Sequence, residues 1–144
     1  MSDPLDGIWY SSVGSVLKLE INGKTIGGVF SSKQNPDGGY YSVNGSIDPD
    51  TTLANRALSF SVAWFNEKNP NPGYRSVTSY TGQYHQTAHG ECINTTFLMV
   101  DETSPANEYA STYIGFDNFC KKEYTEEEIR RELLTRMPSY HIPL

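Results

Sequence analysis

At 144 residues the chain has the size of one domain, long enough to bury a core without disulfide or metal staples. Eleven Lys and Arg against seventeen Asp and Glu leave a net charge of −6, which repels phosphate backbones and anionic lipid and argues against nucleic acid or a membrane as partner. No run nears the roughly 18 apolar residues of a membrane helix. The opening MSDPLDG lacks the basic and apolar regions of a secretory signal, so the expectation is a cytoplasmic protein or the mature form of a secreted one. Two cysteines, Cys92 and Cys120, are too few for a disulfide scaffold.

In chain order, GIWYSS at 7–12 reads as a short opening strand. Leu17, Leu19 and Ile21 alternate with Lys18, Glu20 and Asn22, and the following Asn22-Gly23 pair supplies a hairpin turn. Ile26, Gly28 and Phe30 share one face of the returning strand, and Tyr41, Val43, Gly45 and Ile47 one face of the next. LSFSVAWF at 58–65 places Leu58, Phe60, Val62 and Trp64 together, within a strand over 56–65. Further alternating runs cover 75–85, 91–100 and 109–120.

The connections are too short for the crossover helices that parallel pairing requires, so neighbouring strands should run antiparallel. The predicted fold class is all-β: an eight-stranded antiparallel up-and-down β-barrel over 5–121, with a short C-terminal α-helix and tail over 122–144. A barrel that only filled itself would be apolar inside. Here Ser15, Ser32, Ser76, Thr78, Thr95 and Asp117 all fall on the inward parity, where an unpaired polar group costs about 1–3 kcal/mol. The pattern therefore points to a cavity for one small ligand.

In YTEEEIRRELLTRMP, Thr125 and Glu128 have capping-box spacing, and Tyr124 and Ile129 that of a hydrophobic staple. Acids crowd the first turn and Arg130, Arg131 and Arg136 follow, which suits the helix dipole. Ile129, Leu133 and Met137 make a narrow apolar stripe, enough for weak docking on the barrel or on a second subunit.

Five segments, GIWYSSVGS at 7–15, FSVAWFN at 60–66, SVTSYTGQY at 76–84, CINTTFLM at 92–99 and EYASTYIGFDNF at 108–119, resemble in order and spacing the avidin and streptavidin family of biotin-binding barrels. The resemblance covers about four fifths of the chain, and it implies noncovalent binding of biotin at one open end of the barrel, with no catalysis and no cofactor beyond biotin as the ligand. Carried over residue by residue, Trp64 matches an aromatic wall, while Tyr80 and Phe97 stand where the family has further tryptophans. Ser11 and Ser15 match two groups that hold the ureido oxygen, and the third, ordinarily a tyrosine, is Phe30.

Asp117, supported by Asn94, matches the acceptor for one ureido N–H, and Ser32 the acceptor for the other. Thr78 would meet the ring sulfur and Ser76 the valerate carboxylate, with Tyr74 nearby and backbone N–H groups around Asn35 also available to that carboxylate. Phe97 and Met99 read equally as pocket wall or as core. The missing third donor implies weaker binding than the family's tightest members show. The competing reading is a lipocalin-like carrier of another small flat or apolar ligand, with Phe30 and Ser11 as the marks of drift.

An enzyme is less well supported, since Asp117 with Tyr80 would be its only acid–base pair. His85, His89 and Glu91 cluster near a hairpin without a third strong ligand, so no metal site is expected. Leu98, Val100, Ile114 and Phe116 make the last two strands apolar on their outer faces as well. Such patches mark subunit contacts, and a homotetramer is expected, with a homodimer as the alternative because Tyr109 replaces the family's inter-subunit tryptophan. Cys92 and Cys120 should lie opposite each other on paired strands, either as reduced thiols or as a cross-strand disulfide.

Overall fold

A computed structural model describes residues 2–32, 39–65 and 75–136. Eight strands, β1 (Gly7–Ser11), β2 (Ser15–Asn22), β3 (Thr25–Ser32), β4 (Tyr41–Ile47), β5 (Asn55–Ala63), β6 (Ser76–Thr87), β7 (Gly90–Asp101) and β8 (Thr112–Cys120), form one closed barrel in sequence order. Every neighbouring pair is antiparallel, and β8 returns to β1. The helix α1 spans Glu126–Arg136. Among these residues no helix is long and apolar enough to cross a membrane.

Alternation fills the barrel as the sequence reading required. Leu17, Leu19, Ile26, Val43, Leu58, Phe60, Val62, Ile93 and Phe119 are buried inward, while their sequence neighbours face out. Gly45 matters to this packing: it pairs with Phe60, and a Cβ there would come within 2.6 Å of the Phe60 Cα. Phe60 in turn stacks on Tyr80 with centroids 4.8 Å apart.

One end is sealed by the chain's own start. Arg56, fully buried, forms a two-pronged ion pair with Asp3 at 2.7 and 2.9 Å and also donates to the Asp48 carbonyl. Burial works against the Asp3 carboxylate, but the Arg56 contact and the Leu5 N–H outweigh it and hold its pKa below the ordinary value. Trp9 packs edge-on against Tyr84 and donates its indole N–H to the Leu5 carbonyl at 2.9 Å. Tyr84 donates to Glu91 at 2.6 Å, and His85 pairs with Asn55 at 2.7 Å, so two of the three groups near that hairpin already have protein partners.

Several strand boundaries differ from the sequence reading by a residue or more, and two of them bear on the open end. Residues 109–111 are not strand: Pro105–Ala110 forms a 3₁₀ turn, with the Ser111 N–H bonded to the Glu108 carbonyl, and β8 begins at Thr112. β5 ends at Ala63, although the Trp64 N–H continues the ladder to the Ser76 carbonyl at 2.9 Å. Cys92 and Cys120 do face each other across β7 and β8, both as free thiols. The capping box forms as read, with the Thr125 N–H on Glu128 at 3.0 Å and the Glu128 N–H on Thr125 at 3.1 Å.

Candidate functional site

The β1–β2 turn and the C-terminal ends of β3, β5 and β7 all lie at the end opposite the Arg56 seal, so the inward residues near those strand ends define the candidate site. Its walls are aromatic. Phe30 stacks on Tyr80 at 5.8 Å and meets Trp64 edge-on at 5.1 Å, and Tyr80 leans against Phe97 at 5.7 Å. Tyr41, first residue of β4, also packs edge-on against Trp64 at 5.0 Å. The Trp64 indole N–H donates to the Thr78 hydroxyl at 2.6 Å, which fixes the plane of the ring.

Phe97 owes its position to Gly115, its cross-strand partner, where a Cβ would fall 2.5 Å from the ring's Cζ. Met99 and Ser76 are half-buried nearer the rim, and Met99 pairs with Thr78. Thr78 and Tyr80 are buried below them on the same face of β6.

The polar floor centres on Asp117. Ser11 is buried and donates to the Asp117 carboxylate, while its Oγ accepts the Ser15 N–H at 2.9 Å and the Val13 N–H at 3.3 Å. Ser15 is half-buried and pairs with Ser32, which is exposed at the end of β3. Among the described residues, Asp117 Oδ1 is the buried side-chain atom with no hydrogen-bond partner. Burial pushes the Asp117 carboxyl up to about 7, against the opposing pull of Arg136, the Asn118 N–H and Ser11.

The structure thus joins Ser11, Ser15 and Asp117 in one group, and Phe30, Trp64, Thr78, Tyr80 and Phe97 in another. Asn94 is a correction. It is exposed on the outer face opposite Asn118, because 94 has the parity opposite to the inward Ile93 and Thr95. The residue beside Asp117 is Thr95, whose hydroxyl donates to the Asp117 carbonyl at 2.8 Å. Asn35 and Tyr74 lie outside the described residues, as does Met137.

Two side chains of this region were not singled out from the sequence. Tyr41 was read only as part of an alternating strand, though an aromatic at a strand start on the inward parity was a usable signal. Arg136 was read as a complement to the helix dipole. It is instead buried against β8, with Nη1 3.9 Å from Asp117 Oδ1.

A family model described as the Avidin family matches residues 2–122. That span takes in all eight strands and every described residue of both groups. The chain belongs to the avidin family.

Proposed function

We propose that this barrel binds biotin noncovalently at its open end and performs no chemistry on it. The observation that carries the reading is the buried Asp117 Oδ1, an acceptor with no hydrogen-bond partner among the described residues, inside a barrel of this family, where a cyclic urea offers an N–H. In this reading the aromatic group of Trp64, Tyr80, Phe97 and Phe30 boxes the bicyclic head. Ser15 holds the ureido oxygen together with Ser11, whose hydroxyl turns from Asp117 to donate to it, Ser32 accepts the second N–H, and Thr78 lies near the sulfur. Ser76 and the segment around Asn35 serve the valerate carboxylate, and Met99 lines the rim.

Phe30 shapes the expected affinity. It is buried and stacked on Tyr80 at 5.8 Å, so it supplies a wall but no third donor to the ureido oxygen. The same observation favours the second reading, a carrier for another small flat or apolar molecule. Thermal unfolding with and without saturating biotin separates the two: a raised midpoint supports the first, and an unchanged midpoint leaves only the second.

The chain is further proposed to act as a homo-oligomer. Val77, Leu98, Val100 and Phe116 are each about half exposed on adjacent outer positions of β6, β7 and β8, with the half-buried Ile114 among them. Sedimentation of wild type and of Leu98→Asp tests this, with a tetramer expected, a dimer as the alternative, and a smaller species in the variant. Wild type sedimenting as a monomer at high concentration overturns it.

A further inference from the structure

The barrel closes between β1 and β8 through only two residue pairs, Tyr10 with Cys120 and Ser11 with Phe119. Beyond Ser11 the first strand turns away, while β8 runs on toward Thr112. The edge of β8 at Phe116 and Asp117 therefore has no β1 partner, and α1 lies along this seam. Ile129 borders a small cleft together with Tyr10, Ser11 and Val16, and Arg136 reaches Phe116 of β8 and Ser12 just after β1.

Arg136 is held on every side. Its Nη1 donates to the Phe116 carbonyl, its Nη2 to the Ser12 hydroxyl at 3.3 Å, and its Nε to Glu132 at 2.7 Å, with the guanidinium 3.9 Å above the Phe116 ring. It is 5 % exposed on a helix whose other arginines, Arg130 and Arg131, are open to solvent. Docking an eleven-residue helix does not require a buried guanidinium, since Ile129 already supplies an apolar anchor. The charge has a counterpart across the strand: Nη1 stands 3.9 Å from Asp117 Oδ1, near enough to support an anion and too far to use up its lone pairs.

We infer that Arg136 is a positioning residue for the ligand site: reaching through the β1–β8 seam from α1, it favours the ionised form of Asp117 while leaving Oδ1 free to accept a ligand N–H. The inference rests on the biotin reading for its consequence but not for the coupling itself. From the elements packed around Asp117, the charged groups that face it among the described residues are Arg136 and Glu132 of α1. β1 brings the Ser11 hydroxyl and β7 the Thr95 hydroxyl. Arg136 pulls the Asp117 titration down, against the larger effect of burial, and Glu132 pushes it up, alongside burial.

The test is the titration of the Asp117 carboxyl carbon by NMR in the full chain without ligand, assigned with Asp117→Asn. Arg136→Gln should raise the midpoint by about one pH unit or more, Arg136→Lys should restore it at least in part, and Glu132→Gln should shift it downward. In parallel, the pH at which biotin affinity begins to fall should move up by the same amount in Arg136→Gln. Binding then weakens about five-fold or more near pH 7 and little at high pH. A merely structural anchor would lower stability and leave both midpoints in place, and that result overturns the inference; an unchanged midpoint in Glu132→Gln does so even if Arg136→Gln fails to fold. If wild type binds no biotin while the NMR midpoint still moves, the coupling stands and the biotin reading alone fails.

Discussion

The Trp64 indole N–H and the Thr78 hydroxyl are joined by a 2.6 Å hydrogen bond that crosses from the end of β5 to β6. It links an aromatic wall to a polar group on the next strand, and it orients the ring against which Phe30 and Tyr41 both pack edge-on. Thr78→Val keeps the shape and removes the acceptor, so the indole N–H loses its partner. Stability should fall by about 1 kcal/mol and biotin affinity by a few-fold or more. The chain has two tryptophans, and Trp9 is sealed at the far end, so the change in emission on adding biotin reports on Trp64. Trp64→Phe should abolish that change; its persistence would place the ligand elsewhere.

Phe30→Tyr restores a hydroxyl at the position where the family places the third donor to the ureido oxygen. A hydrogen bond to a polarised oxygen is worth about 1–3 kcal/mol, so affinity should rise by roughly five-fold to a hundred-fold or more. Competition against a fluorescent biotin conjugate measures it. No change would show that the ureido oxygen does not sit near this ring.

Asp117 makes binding depend on pH. With its carboxyl raised to about 7 by burial, it is protonated in much of the free protein below neutrality, and an ionised carboxylate is the better acceptor for an N–H. Biotin affinity should therefore fall as pH drops below about 7, with protons released on binding in that range. The folded state holds a proton that the unfolded chain gives up near its ordinary value of 3.8, so this group makes stability decline as pH rises from about 4 to about 7, at up to about 1.4 kcal/mol per unit. Asp117→Asn should remove both dependences and weaken binding at pH 8 by ten-fold or more. Denaturation and binding curves at several pH values check each part.

The Asp3–Arg56 pair tests whether the sealed end is separable from the site. Asp3→Ala leaves the Arg56 guanidinium without its counterion, although it keeps the Asp48 carbonyl, and should cost about 3 kcal/mol in urea unfolding. Biotin affinity of the folded fraction should be unchanged. An equal loss of affinity would mean that the two ends of the barrel are coupled.

Most of the architecture was legible because a closed meander repeats one rule: odd and even positions take opposite faces, and short turns set the order. That rule placed Phe60, Thr78, Thr95 and Asp117 inward and put Cys92 opposite Cys120. Asn94 was misplaced because family resemblance was followed against its own parity. Residues 109–111 imitate strand alternation in Tyr109, Ser111 and Tyr113, but Pro105 and the Ser111 to Glu108 bond close a 3₁₀ turn there. Arg136 was illegible as a neighbour of Asp117, since a cation at a helix C-terminus already has a local explanation. Only the short β1–β8 ladder, a feature of tertiary closure, opens the seam that it fills.

Isothermal titration of the full chain with biotin at pH 8, where Asp117 is ionised, tests the central claim most directly. The account predicts a saturable heat with one biotin per chain, and a smaller affinity in Asp117→Asn. Absence of heat at protein and ligand concentrations well into the micromolar range, together with an unchanged melting temperature at saturating biotin, would contradict it.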